Sequence, residues 1–64
     1  MTNLILKIAI LTRFRRQADC AEALKINETI LSKIVQGRRA PTLEQRQILS
    51  QTLGINQDEL FPQN

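Results

Sequence analysis

The side chains best suited to bind a partner lie between residues 28 and 36. The polar ones recur at the i, i+3, i+4 and i+7 spacing that places them on one face of a helix: Thr29, Ser32, Lys33 and Gln36. That face carries hydroxyl, ammonium and amide groups but no carboxylate. Leu31, Ile34 and Val35 fall on the other side. The segment therefore predicts a helix with an apolar back and an exposed polar front.

Arginines flank this helix on both sides. Arg13, Arg15 and Arg16 precede it by about a helix length, and Arg38 and Arg39 follow it. Nine Lys and Arg oppose six Asp and Glu, which gives a net charge of +3. A basic balance favours a polyanionic partner. A protein that recognises double-stranded DNA needs a helix that fits the major groove and cations on both sides of it that contact phosphates. The segment and its flanking arginines have this layout.

The composition does not indicate a catalytic site or a metal site. The chain has no His and a single Cys, so Ser–His and Cys–His pairs are impossible. Asp58 and Glu59 are sequence neighbours that suit a helix cap, and no Gly-rich phosphate loop is present. We expect no enzyme activity, no metal, no cofactor and no small-molecule ligand. Cys20 is interpreted as core filler, with a redox switch as the alternative.

Turn signals at residues 37–41, Gly54 and Pro62 divide the 64 residues into short segments. We expect one all-α domain over residues 1–64. Its five helices are predicted over residues 3–13, 17–24, 28–36, 43–53 and 57–61. Residues 3–13 also alternate like a strand, but a lone strand would have no partner. N-caps are expected at Asn27, at Thr42 with Gln45, and at Asn56 with Glu59.

The predicted core combines the apolar stripes of all these helices. Its members are Leu6, Ile10, Phe14, Ala21, Leu24, Leu31, Ile34, Val35, Leu49, Leu53, Ile55 and Leu60, and Ile48 is assigned to the apolar side of the fourth helix. Residues 4–11 are too short and too interrupted by Lys7 to span a bilayer or to serve as a signal peptide. A lone thiol suits a reducing compartment, so we expect a cytoplasmic protein that does not enter a membrane.

The order and spacing of several short motifs resemble the Cro/cI-type, lambda-repressor-like helix-turn-helix family. The matching stretches are Gln17-x-x-x-Ala21, Ile26-Asn27-Glu28, Leu31-Ser32-x-Ile34, Gly37-Arg38-Arg39-x-Pro41 and Leu53-Gly54-Ile55-x-x-x-Glu59-Leu60. They cover residues 17–61. The resemblance implies a compact five-helix domain whose second and third helices form the DNA-binding unit. It also implies sequence-specific binding of double-stranded DNA and a repressor-like role in transcription, usually as a homodimer.

The resemblance also implies roles for individual residues. Base readout falls to the third helix, at Glu28, Thr29, Ser32, Lys33 and Gln36. Contacts to the DNA backbone fall to Arg15, Arg16, Gln17, Asn27, Arg38 and Arg39. Three positions depart from the family pattern. Lys25 stands at a turn that usually holds Gly, Ile10 and Val35 replace an Arg–Glu pair, and Phe14-Arg15-Arg16 replaces a Gly-Leu-Ser or Gly-Leu-Thr run.

The first helix carries more apolar surface than one domain buries. On a helical wheel, Leu6, Ala9 and Ile10 form one stripe, and Leu4, Ile8 and Leu11 form another on the opposite side. An exposed aliphatic stripe usually marks an interaction site. We therefore expect a homodimer through the outer stripe of the first helix, through the C-terminal helix with Phe61, or through both.

Two other functions compete with DNA binding. One is a protein-interaction or antitoxin-like module of the same fold that lacks specific readout. The other is a membrane-surface peptide led by residues 3–16, in which a hydrophobic helix is followed by arginines.

Overall fold

The computed structural model describes residues 1–62, which contain five helices and no strand. The helices are α1 (Leu4–Arg13), α2 (Gln17–Leu24), α3 (Glu28–Val35), α4 (Leu43–Leu53) and α5 (Gln57–Leu60). The all-α prediction is confirmed. Each predicted helix is present with bounds that agree within one residue, and the ambiguous first segment is a helix rather than a strand.

Side-chain caps fix most of the helix starts where the sequence places them. Thr42 and Gln45 form a reciprocal capping box, with bonds of 2.9 and 3.1 Å between each side chain and the other residue's N–H. Asn27 accepts hydrogen bonds at the start of α3. Asn56 caps α5 by itself, since the return bond expected from Glu59 does not occur among the hydrogen bonds of residues 1–62.

The connection between α2 and α3 turns on one strained residue. Lys25 adopts the left-handed conformation with φ 57° and ψ 36°, and the N–H of Ile26 reaches back to the carbonyl of Ala21 at 2.9 Å. Glycine normally occupies such a position because a Cβ is disfavoured there. This left-handed turn confines the connection to three residues and brings α3 back against α2.

The core is a single cluster to which every helix contributes. Ten apolar residues are buried: Leu6, Ala9, Ile10, Cys20, Ala21, Leu31, Ile34, Val35, Leu49 and Leu60. Ile10 and Val35 both lie in this cluster, so these two positions are apolar and buried. Helix α1 packs against each of the other four helices, while α2 packs on α3 and α4 on α5.

Several residues predicted to be core lie at its edge. Phe14, Leu24, Leu53 and Ile55 are half-buried and pack against the cluster. The assignment of Ile48 to the apolar side of α4 is wrong, since 37% of this residue is exposed. Adjacent helical residues point about 100° apart, so once Leu49 faces the core, its neighbour turns toward the edge. A thin core leaves these positions without a second layer to cover them.

Asn3 joins the two helix pairs to each other. Its side-chain oxygen caps α1 by accepting from the N–H of Leu6 at 3.0 Å. Its side-chain amide donates to the carbonyl of Leu60 at 2.7 Å, and its backbone N–H donates to the carbonyl of Val35 at 2.7 Å. One residue thus connects the start of α1 to the ends of α3 and α5.

The burial pattern predicts opposite outcomes for two isoleucines. Ile34→Ala removes a side chain that is 3% exposed, and we expect it to lower the free energy of unfolding by about 2–5 kcal/mol. Ile8→Ala is the matched control, because Ile8 is 64% exposed and its loss should change stability by no more than about 0.5 kcal/mol. Urea denaturation followed by circular dichroism measures both. Equal losses would show that α3 packs through a different face.

The two side-chain bonds of Asn3 predict that losing this N-cap costs more stability than losing an ordinary one. Asn3→Ala should destabilise the domain by about 2–3 kcal/mol, because a cap and a bond between distant elements are lost together. Asn56→Ala, which removes only a cap, should cost about 1 kcal/mol. Asn3→Ser keeps a capping oxygen but loses the donor to Leu60, so its stability should fall between that of the parent and that of Asn3→Ala. A cost for Asn3→Ala no larger than for Asn56→Ala would contradict the joining role.

Candidate nucleic-acid interface

Helix α3 has the two faces that the sequence predicts. Leu31, Ile34 and Val35 are buried in the core. Thr29, Lys33 and Gln36 are exposed on the opposite side, and Ser32 and Glu28 lie at one edge of that polar face, with Ser32 partly covered. Because the apolar face is fixed by packing, the direction in which the polar face points is fixed as well.

Local hydrogen bonds order part of the polar face. The side-chain amide of Gln36 donates to the hydroxyl of Ser32 at 3.2 Å. At the other end of α3, the side-chain oxygen of Asn27 accepts from the N–H groups of Thr29 and Ile30 at 2.8 and 3.3 Å. Capping uses this oxygen of Asn27 and leaves its amide group to donate outward.

The five predicted readout residues share one shallow depression with Arg38. Its lining consists of Glu28, Thr29, Ser32, Lys33, Gln36 and Arg38. Arg38 is held there by its backbone, since its N–H donates to the carbonyl of Lys33 at 2.9 Å. The structure therefore brings a proposed backbone contact next to the proposed base contacts, although the two come from different elements. Glu28 places one carboxylate at the rim.

Arg39 lies on the turn that leads from α3 to α4 and is exposed. The turn begins at Gly37, whose φ is 78°, and a Cβ on Gly37 would overlap the carbonyl oxygen of Met1. Glycine is therefore required here by the backbone angle and by the close approach of the chain start. Neither Arg38 nor Arg39 forms an ion pair among residues 1–62, so both guanidinium groups face solvent with their charge uncompensated.

The basic residues before α2 form a second group. Arg15 and Arg16 are exposed and line a shallow depression with Asp19, and Gln17 is half-buried at the first position of α2. Arg16 and Asp19 form an ion pair of 3.4 Å on the open surface. An exposed pair is weak, so it only partly offsets the charge of Arg16. The sequence had not indicated this pairing, although the i, i+3 spacing is compatible with it.

The proposed dimer residues separate into two environments. Leu4, Ile8 and Leu11 are exposed on the outer side of α1, as predicted. Phe61 is half-buried against the core, and the Arg46 guanidinium carbon lies 5.8 Å from the centre of its ring. Arg46 therefore packs against this ring at the edge of the core. Ile5, which is 51% exposed beside Leu4, was missed because the helical wheel places it at the border of the stripe.

No family model, curated protein or solved structure matches the chain. Within residues 1–62, no group of three or more potential metal ligands comes together. In the same range, every helix is too short or too polar to cross a lipid bilayer.

Cys20, the only thiol, lies in the core and makes no contribution to the polar surface. Burial raises the pKa of the Cys20 thiol, because the protein interior disfavours the thiolate. A raised folded-state pKa stabilises the domain below the ordinary thiol pKa, and this contribution is lost as the pH rises toward the folded-state value.

Burial of Cys20 predicts a protected thiol. Reaction with an aromatic disulfide reagent at neutral pH should be at least about a hundredfold slower in buffer than in concentrated urea, because reaction requires opening of the core. The urea sample is the control for intrinsic reactivity. A rate in buffer close to that in urea would support the redox-switch alternative for Cys20.

Proposed function

We propose that α2, the Lys25 turn and α3 form a lambda-repressor-like helix-turn-helix that binds double-stranded DNA in a sequence-specific manner. The protein would then act as a small, repressor-like transcriptional regulator. The observation that carries this proposal is the polar face of α3, which projects Thr29, Lys33 and Gln36 away from a core-facing stripe and continues into Arg38.

The dimensions of α3 suit the major groove. Its eight residues span about 12 Å, and a helix with its side chains is about 10–12 Å across, similar to the groove width of about 12 Å. Lys33 would donate to guanine acceptors, and Gln36 would pair with adenine through its amide. Thr29 and Ser32 have hydroxyls that accept or donate. Glu28 would accept from a cytosine amine if it enters the groove, and otherwise only complements the helix dipole.

Phosphate contacts would come from both sides of this helix. Arg15, Arg16 and Gln17 lie at the start of α2, and Arg38 and Arg39 follow α3. Asn27, at the start of α3, uses its side-chain oxygen for capping, and its amide group would donate to a phosphate. These contacts position a protein on DNA without reading its sequence. Their number sets the salt dependence of binding, because each neutralised phosphate releases counterions.

The second candidate is a protein-interaction or antitoxin-like module of the same fold. The exposed aliphatic side of α1 favours it, since such a surface suits a protein partner better than DNA. The two candidates differ at Lys33, Arg38 and Arg39, which matter only to the first.

Selection from a random duplex pool, followed by binding measurements, tests DNA recognition. Lys33→Ala should weaken binding to the selected site by about 1–3 kcal/mol and relax preference at one base position. Arg39→Ala should weaken all duplexes about equally and lower the salt slope by about one unit. Lys7→Ala is the charge-matched control, measured on a duplex that holds one copy only, because Lys7 lies on α1 and does not line the depression that contains Lys33 and Arg38.

Two results would refute the proposal. One is failure to enrich any sequence at low salt. The other is a Lys33→Ala variant with unchanged affinity and specificity while the melting temperature equals that of the parent.

A further inference from the structure

A cleft lies where the start of the chain meets the turn from α3 to α4 and the end of α5. It is called here the N-terminal cleft. Its volume is about 780 Å³, within the range of about 300–1,000 Å³ that is usual for small-molecule sites. It is lined mainly by residues 1–5, by residues 39–41 of the turn, and by Arg46, Phe61 and Pro62. The proposed nucleic-acid interface uses only Arg39 from this set.

The lining of the N-terminal cleft combines apolar surface with positive charge. Leu4 and Ile5 are 61% and 51% exposed, and Phe61 is half-buried beside them. The charged side chains in the lining are Arg39 and Arg46, and no Asp or Glu within residues 1–62 joins them. The complement of such a surface is a ligand with an apolar body and a negative end.

The two arginines of the cleft have hydrogen-bonding capacity that the described chain does not use. Neither forms an ion pair within residues 1–62. Nε of Arg46 is shielded from solvent and has no hydrogen-bond acceptor in that range, while the guanidinium carbon lies 5.8 Å from the centre of the Phe61 ring. Shielded N–H groups without an acceptor are uncommon in native proteins, because they lose water and gain no partner. Arg46 is therefore the point at which a ligand acceptor is most favoured.

Backbone contacts fix the walls of the cleft relative to each other. The N–H of Asn3 donates to the carbonyl of Val35 at 2.7 Å, and its side-chain amide donates to the carbonyl of Leu60 at 2.7 Å. The carbonyl oxygen of Met1 lies so close to Gly37 that a Cβ there would overlap it. The chain start is thus tied to the ends of α3 and α5, and the cleft is formed before a ligand enters.

We propose that the N-terminal cleft binds a small amphipathic carboxylate, in which one carboxylate group is attached to an aliphatic or aromatic body. The planar fork of a guanidinium matches the two oxygens of a carboxylate, so Arg46 and Arg39 take the charged end. A rotation of the Arg46 side chain brings its unpaired Nε–H to the ligand. The body of the ligand lies over Leu4, Ile5 and the Phe61 ring.

The lining favours this ligand over a peptide or a hydrated anion. A bound peptide needs partners for its own N–H and carbonyl groups, but Asn3, a polar residue of the lining, uses its side-chain oxygen for Leu6 and its amide for Leu60. Inorganic phosphate and DNA phosphate have no apolar part, so they gain nothing from the aliphatic side chains. The sequence had not indicated a small-molecule ligand, because the lining residues come from both ends and the middle of the chain.

Arg39 belongs both to the cleft and to the proposed contacts with the DNA backbone. Its guanidinium does not bind a ligand carboxylate and a phosphate at the same time. A bound carboxylate therefore weakens DNA binding, and by linkage DNA weakens binding of the carboxylate by the same factor. This regulatory use rests on the proposed function, whereas binding of the carboxylate in the cleft does not.

NMR titration of the labelled protein with 4-phenylbutyrate tests the site without DNA. This probe has about twelve non-hydrogen atoms, for which ordinary ligand efficiency gives a Kd of about one millimolar. The amides that shift should belong to the lining, at residues 2–5, 37–40 and 46. 4-Phenylbutyramide keeps the shape without the charge, and acetate keeps the charge without the body. Both should bind about tenfold more weakly than 4-phenylbutyrate.

Substitutions of arginine test the charged end. Arg46→Gln should weaken binding of 4-phenylbutyrate about tenfold, because a charge-assisted bond at a partly buried side chain is lost. Arg39 is exposed, so Arg39→Gln should weaken binding only about two- to fivefold. Arg13→Gln is the charge-matched control, since Arg13 is exposed at the end of α1 and does not line the cleft.

Substitutions of isoleucine on α1 test the apolar wall. Ile5→Ser should weaken binding of 4-phenylbutyrate about two- to fivefold, because part of the surface that the ligand covers is lost. Ile8→Ser is the matched control, since Ile8 is 64% exposed on the same helix outside the cleft. Thermal melting verifies that every variant is folded.

The regulatory use is tested on the duplex obtained by selection, at constant ionic strength. Saturating 4-phenylbutyrate should weaken binding of the parent by about the factor that Arg39→Ala does. It should have little further effect on Arg39→Ala, because both act through the same guanidinium. 4-Phenylbutyramide at the same concentration is the control for effects of the solute alone.

Four results would overturn the proposed site. The first is equal affinity for 4-phenylbutyrate and its amide. The second is equal affinity for 4-phenylbutyrate and inorganic phosphate, which would assign the cleft to hydrated anions. The third is tighter binding of the acidic peptide acetyl-Leu-Glu-Leu-amide, which would assign it to a protein partner. The fourth is a loss of binding in Arg13→Gln as large as that in Arg46→Gln.

The outcomes also separate the site from the proposed function. If 4-phenylbutyrate binds as expected and no duplex is enriched in the selection, the site stands and the proposed DNA binding fails. If a duplex is enriched and saturating 4-phenylbutyrate leaves its affinity unchanged, the regulatory use is refuted.

Discussion

The buried stripe of α1 is the constraint on which the arrangement of the other helices depends. Leu6, Ala9 and Ile10 form that stripe, and α1 is in contact with each of the other four helices. The remaining helices form two pairs, α2 with α3 and α4 with α5, which meet across this stripe. Asn3 fastens the meeting point by bonding to the last turns of α3 and α5 at once. The exposed side of α3 therefore takes its direction from contacts made on its hidden side.

In a domain with so few buried residues, the same helix supplies both core residues and candidate binding residues. Helix α3 places core residues and candidate readout residues within the same eight positions. Helix α1 supports the core on one side and carries an aliphatic surface on the other. Substitutions on the outer side of either helix leave packing intact, whereas substitutions on the inner side remove both packing and orientation. This division makes exposed variants informative about binding and buried variants informative about folding.

Local signals account for what the sequence predicted well. Helix bounds follow from capping residues and turn residues such as Thr42 and Gly54, which act within a few positions of themselves. The two faces of α3 follow from its period, because packing and exposure alternate with the helical turn. Lys25, which the resemblance places at a turn that usually holds Gly, has a positive φ of 57°.

Features that depend on contacts between distant residues could not be predicted from the sequence. Nothing near Asn3 indicates that its amide meets Leu60, 57 positions away. Periodicity along one helix does not tell how far the neighbouring helices extend. That reach decides the exposure of Ile48 and the half-burial of Phe14 and Ile55. The Gln36–Ser32 bond and the Arg16–Asp19 pair have compatible spacings, but other pairs at such spacings within residues 1–62 form no bond. Base-reading roles stay predictions, since they concern a partner rather than the fold.

The approach of Met1 to Gly37 has a practical consequence for handling this protein. The backbone of the first residues lies against the turn between α3 and α4, and the N–H of Asn3 is tied to Val35. Residues appended ahead of Met1 would leave the domain beside Arg38 and Arg39. A purification tag or fluorescent protein fused there would crowd that basic turn. An assay that depends on this turn is best made after the N-terminal tag has been removed by a protease.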